Sequence, residues 1–164
     1  MKLNNFKAYE LVDKTTYELH GEKCVQMFDR ELLIFIDGLH HRLSERYSGK
    51  ISIIINDWKW GGKFQWRGMR NVTYYGDVTK FNKSRSQHKY GKALDFDVHV
   101  NGVRISPDVI RDIIVECRGE HLITFIEDDV NWVHVDMRPT DNDLLVKWSP
   151  ITGKVTGTYT RKGV

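Results

Sequence analysis

The segment Ser86-Gln87-His88-Lys89-Tyr90-Gly91-Lys92-Ala93-Leu94-Asp95-Phe96-Asp97 constrains this chain more than any other, and Asn131-Trp132-Val133-His134-Val135-Asp136 answers it later. Each sets a histidine close to carboxylates. His88 and Asp95 are seven positions apart, a separation of about 23 Å along a strand and about 10 Å along a helix, too far to share one ion. They converge only if the chain reverses between them, and Gly91 can adopt the backbone angles that a reversal requires. After it, the alternation from Ala93 to Val100 predicts a strand. Asp95, Asp97 and His99 share one of its faces, and Leu94, Phe96, Val98 and Val100 share the other.

The surrounding chain supplies a scaffold. Residues 1 to 28 carry a weak helical pattern. Asp29 reads as a helix cap, and Leu32, Leu33, Ile36, Leu39 and Leu43 predict an amphipathic helix of about 16 residues ending near Tyr47 to Gly49. His40 and His41 lie on it about 100° apart, which suits surface or cap roles better than chelation. Ile51 to Ile55 reads as a buried strand. From Asn56 to Gln87 the chain shows little periodicity, and a long irregular segment rich in aromatics and arginines reads as a substrate-facing loop.

Asn101-Gly102 is a turn signal. Ser106-Pro107 opens a second helix with an apolar face of Val109, Ile110, Ile113, Ile114 and Cys117, which Gly119 is expected to end. Leu122 to Ile126 and Trp132 to Met137 read as strands flanking the acidic turn Glu127-Asp128-Asp129. Leu144 to Trp148 and Lys154 to Thr160 read as further strands, joined by a turn at Thr152-Gly153.

At 164 residues, with 40% hydrophobic and 29% charged residues, the chain predicts one domain over residues 1–164 that buries its own core. A net charge of +3 does not demand nucleic acid, and none is expected as a partner. Basic residues from Lys59 to Lys92 do interleave with Trp58, Trp60, Phe64, Trp66, Tyr74, Tyr75, Phe81 and Tyr90. That resembles the footprint of a strand- or glycan-binding groove, with a solvated loop as the plainer alternative. Cys24 and Cys117 have no CxxC spacing and read as buried thiols. No apolar run matches a signal peptide or a membrane span, so cytoplasmic synthesis is expected.

Two histidines plus one carboxylate form a ligand set used by catalytic zinc, leaving a fourth position for water. Two neutral imidazoles, one carboxylate and the ion sum to a net charge of about +1, which can bring bound water to a pKa of about 7 and polarise a carbonyl beside it. Hydrolysis of a peptide bond then needs a further carboxylate as general base and acid. The acidic turn supplies candidates.

The pattern Ser86-x-His88-x-x-Gly91-x-Ala93-x-Asp95 with a later Trp132-x-His134 resembles the zinc motif of the peptidase M15 family, over roughly residues 30 to 138. That family includes D-alanyl-D-alanine carboxypeptidases and phage endolysins that cut L-alanyl-D-glutamate bonds, and shares its zinc fold with the hedgehog signalling domain. The resemblance implies an α+β fold, a small antiparallel sheet with helices packed on one face. It also implies one Zn2+ per chain, held by His88, Asp95 and His134, with Ser86 as a site-shaping neighbour. Endolysin-type members carry an acid where this chain has Asn131, which takes no proton at neutral pH. The hedgehog-like position falls on Asp128, with Glu127 and Asp129 nearby, so Asp128 or Glu127 is expected as general base. Asp97 and Asp136 read either as carboxylates that orient a histidine or as exposed strand residues.

Arg67, Arg70 or Arg85 could hold a substrate carboxylate, and Arg67 and Arg70 are favoured by the corresponding loop. The implied function is a zinc metallopeptidase acting on peptidoglycan stem peptides, of phage or prophage origin, reaching the cell wall after release or in a virion. A non-catalytic zinc-containing virion or binding module is the alternative. A polyanion-binding protein using Arg67 to Arg85 is a third reading, one that leaves the histidine and aspartate spacing without a role.

Overall fold

Capping signals and apolar periodicity decide where the helices lie. The computed structural model describes residues 3–141 and 144–160. Helix α1 (Lys14–His20) starts where the Asp13 carboxylate accepts from Thr16 N–H. Helix α2 (Arg30–Arg46) starts at Asp29, which caps Glu31 N–H as the sequence predicts, and buries Leu32, Leu33, Ile36, Leu39 and Leu43. The expected irregular segment from Asn56 to Gln87 contains two short helices, α3 (Val72–Tyr75) and α4 (Val78–Lys83). They are nucleated by the side-chain caps Asn71 and Asp77 rather than by an apolar stripe. Helix α5 (Pro107–Glu116) has Ser106 as its cap and Pro107 in its first turn; it stops at Cys117, short of the expected Gly119.

The strands are β1 (Ile51–Ile54), β2 (Ala93–Val100), β3 (Val103–Arg104), β4 (Phe125–Glu127), β5 (Val133–Asp136), β6 (Leu145–Ser149) and β7 (Lys154–Tyr159). The expected strand from Leu122 to Ile126 therefore begins three residues later. The order is β1-β2-β5-β4-β6-β7, with β3 paired to the end of β2. Asn101 and Gly102, both at positive φ, make the β2–β3 turn. The fold is α+β, and its sheet is mixed rather than purely antiparallel: β4 and β6 run parallel. The reason is topological. Strand β5 lies between β2 and β4 with both edges paired, so the returning chain must use the outer edge of β4 and runs in its direction.

One face of the sheet is apolar. Leu94, Phe96, Val98, Ile126, Val133, Val135 and Leu145 join Ile36, Leu39 and Leu43 of α2 and Ile110, Ile113 and Ile114 of α5 in one core. Burying a single such side chain stabilises by about 1.5–3 kcal/mol, so this face sets the register of the strands that contribute to it. Leu3, Phe6 and Leu11 also enter the core. Both cysteines are buried free thiols. Among the described residues no helix is long and apolar enough to cross a membrane.

Candidate metal centre

Because side chains alternate along a strand, committing Leu94, Phe96, Val133 and Val135 to the core turns Asp95, His134 and Asp136 to the other face. The register then aligns them. Asp95 lies directly opposite His134, and His134 directly opposite Glu127. His88 arrives by a different route, on a 3-10 turn (Gln87–Tyr90) ended by Gly91 in the left-handed conformation at φ 64°. A Cβ at Gly91 would lie 2.1 Å from the Met27 carbonyl oxygen. The expected reversal between His88 and Asp95 is therefore this tight turn, and both glycine's angles and its lack of a side chain are needed.

His88, Asp95 and His134 are buried, and one ligand atom from each lies within 4.8 Å of the others. This group could hold a metal ion. Asp95 Oδ2 is 3.3 Å from His88 Nε2, and Asp95 Oδ1 is 2.6 Å from His134 Nδ1. The two imidazole centroids are 5.2 Å apart.

The hydrogen bonds orient each histidine. His88 Nδ1 is 2.7 Å from the Gly68 carbonyl oxygen. A carbonyl only accepts, so Nδ1 carries the proton, and in the neutral ring Nε2 presents a lone pair. That nitrogen is buried with no hydrogen-bond partner among the described residues. A lone pair facing a carboxylate oxygen is repulsive unless a cation lies between them, and a metal ligand is arranged in this way. His134 Nε2 is 3.1 Å from Asp136 Oδ2, and the fully buried Asp136 is in turn held by Arg138 Nε at 2.9 Å from both oxygens. With Nε2–H on Asp136, Nδ1 is the nitrogen that faces Asp95, where an ion would take the place of its proton.

Charge follows the same geometry. Burial pushes the His134 imidazole pKa down, but hydrogen bonds to Asp136 and Asp95 and the charges of Asp95 and Glu127 outweigh it and raise the pKa to about 10. Burial likewise opposes ionisation of Asp95, yet the protonated forms of His88 and His134 hold it well below the usual carboxylate range. Asp136 is also lowered, against its burial, by His134 and Arg138.

The other expected site residues divide. Asp136 orients His134. Among the described residues Asp97 makes no hydrogen bond to a histidine: it bridges Arg67 Nη1 at 2.6 Å and the Arg104 guanidinium. Arg70 Nη2 reaches Asp95 Oδ2 at 2.7 Å, and its Nε donates to the Trp66 carbonyl. Arg67 also stacks over Phe64 at 3.5 Å. Both arginines thus contact carboxylates of this face. Ser86 caps the turn that carries His88, its carbonyl accepting from Lys89 N–H at 3.1 Å.

Glu127 and Asp128 separate. Glu127 shares the face of His134 by register. Asp128 turns to the opposite side, where it accepts from Thr156 Oγ1 at 2.8 Å and lies 3.4 Å from Lys147 Nζ and 4.0 Å from Arg111 Nε. Lys147 stands opposite Ile126, on the core side of the sheet. The structure therefore does not bring Asp128 to the histidines, because Arg111 and Lys147 draw it away.

Three supports escaped the sequence reading. Arg138 lies two residues beyond Asp136, a spacing that marks it as a same-side neighbour. Arg104 is returned onto β2 by the Asn101-Gly102 turn, opposite His99. Gly68 supplies a backbone carbonyl, for which no sequence signal exists. Comparison with family models, with curated proteins and with solved structures returned no match to the chain.

Proposed function

We propose that this protein is a zinc-dependent peptidase that hydrolyses peptide bonds in peptidoglycan stem peptides, of carboxypeptidase or L-Ala-D-Glu endopeptidase type and of phage or prophage origin. The observation that carries the reading is the buried Nε2 of His88, 3.3 Å from the Asp95 carboxylate and without a hydrogen-bond partner among the described residues. Zinc held by His88 Nε2, Asp95 and His134 Nδ1 would supply a Lewis acid for the peptide carbonyl and bring a bound water to a pKa of about 7. The chain's own groups do the rest. Glu127 takes the proton of the attacking water and returns it to the leaving amine. Asp136 keeps the His134 ring in its ligating tautomer. Arg70 fixes Asp95, and the guanidinium N–H groups of Arg67 and Arg70 not used by Asp97 and Asp95 take a substrate carboxylate.

The experiment is metal analysis together with turnover. About one zinc per chain, its loss in His134→Ala, and chelator-sensitive release of new amino termini from muropeptides are expected under this reading. A second reading, a non-catalytic zinc module, is favoured by Asn131 at the endolysin-type acid position. Zinc without amine release selects it, and protein that binds no zinc removes both.

A further inference from the structure

A cavity of about 310 Å³ opens along β1, the edge strand of the sheet, apart from the metal centre. Its walls include Glu10, His40, Ser52, Asn56, Asp57 and Trp60. We propose that it is a saccharide subsite that takes a neutral N-acetylhexosamine ring, with Trp60 as its stacking platform.

The first support is Trp60 itself. Trp58 in the same turn is anchored, its indole N–H donating to the Val12 carbonyl at 2.8 Å. Trp60 instead is 63% exposed, and its ring is braced edge-on by Tyr9 at 5.5 Å and 76°. Lys59 Nζ lies 5.0 Å from the centre of the Tyr9 ring and 5.5 Å from that of Tyr17, so the platform is rigid on its inner side. A large ring held out to solvent at a cavity mouth suits a ligand with one flat C–H face and a polar rim, as a pyranose has.

The second support is the choice of polar groups. Glu10 uses Oε2 to accept from Lys7 N–H at 2.7 Å, and Asp57 uses Oδ1 to accept from Phe64 N–H at 2.7 Å. Among the described residues the other oxygen of each makes no hydrogen bond, so it can accept from a hydroxyl or an acetamido N–H. Two carboxylates repel phosphate, and the lining holds no lysine or arginine, so the cavity selects against a nucleic-acid strand. Asn56 is spent internally, on Arg67 N–H and the Val12 carbonyl, and holds the floor in place.

Position links the two sites. Ile54 of β1 lies opposite Asp97, two residues from Asp95. Strand spacing and rise therefore put Ile54, one wall of the cavity, on the order of 10 Å from Asp95. Since each peptide residue spans at most about 3.5 Å, a peptide attached to a glycan ring in the cavity needs at least about three residues to run from that wall to the ligands. The subsite stands on the cavity alone, while this coupling rests on the peptidase reading.

The test titrates triacetylchitotriose into the full chain, followed by calorimetry, for the native protein, His134→Ala, Trp60→Ala and Trp60→Phe. Saturable binding is expected for the native chain and for His134→Ala. Trp60→Ala should weaken it about tenfold, the equivalent of 1.4 kcal/mol, and Trp60→Phe should lose less. Should Trp60→Ala fail to fold by circular dichroism, Ser52→Tyr, which fills the cavity and leaves Trp60 in place, carries the same expected loss. No saturable binding, affinity unchanged by these substitutions, or binding of free stem peptide alone at this site overturns the proposal. Saccharide binding is read without turnover, so its absence leaves the peptidase reading standing, and its presence without amine release does the reverse.

Discussion

His134 and Asp136, two residues apart on β5, are joined by a 3.1 Å contact between Nε2 and Oδ2, which leaves Nδ1 as the nitrogen that faces Asp95. A strand makes this contact possible because residues i and i+2 share a face. The metal-free ring is cationic between two carboxylates, and an ion at Nδ1 would have to displace that proton.

That displacement has a pH signature. In the metal-free protein the His134 pKa is raised from 6.5 to about 10. A group whose folded pKa lies above its unfolded value stabilises fully below the unfolded pKa and loses that contribution as pH rises through the folded one. Chelator-treated protein should therefore lose urea stability between pH 6.5 and about 10. Zinc requires the neutral ring, so its affinity should rise over the same window and its binding should release a proton. Calorimetry in buffers of different ionisation enthalpy measures the release; zinc uptake with none would contradict the assignment of His134 Nδ1.

Glu127 and Asp128 give a paired test of the acid. Glu127→Gln should keep about one zinc and lower turnover by about 10²-fold or more, because Glu127 alone of the two shares the face of His134. Asp128→Asn should stay within a few-fold of the native rate, with some loss of stability from its contacts to Thr156 and Lys147. The reverse ranking would move the base to Asp128 and require the turn to rearrange.

Asp97 is a structural anion between two arginines. Asp97→Ala should cost about 2–3 kcal/mol in urea denaturation, since Arg67 loses its carboxylate and Arg104 keeps only the Asn131 carbonyl. Zinc content should be unchanged, because Asp97 makes no hydrogen bond to a histidine among the described residues. A variant that folds well but loses zinc would restore it to the histidine-orienting role.

Gly91→Ala probes the turn that carries His88. The left-handed angle at φ 64° and a Cβ 2.1 Å from the Met27 carbonyl oxygen together should cost at least about 2 kcal/mol. The displaced turn should also weaken zinc binding. Thermal melts with and without zinc check both, and a fully stable, zinc-replete variant would show that another backbone arrangement serves.

What the sequence determined by itself was set by local rules. The alternation from Ala93 to Val100 assigned Asp95 and Leu94 to opposite faces, Asp29 and Ser106 marked helix starts, and Gly91 marked the reversal. These are properties of neighbouring residues. Tertiary structure decided what depends on partners distant in the chain. Only the sheet order sets Glu127 beside His134, and only the packing of Arg111 and Lys147 draws Asp128, one residue later, to the other side. Arg67 and Arg70 show no partner in sequence, and the fold gives each a carboxylate. The His88 tautomer rests on the carbonyl of Gly68, a backbone atom that every residue type carries, so no choice of side chain could have announced it.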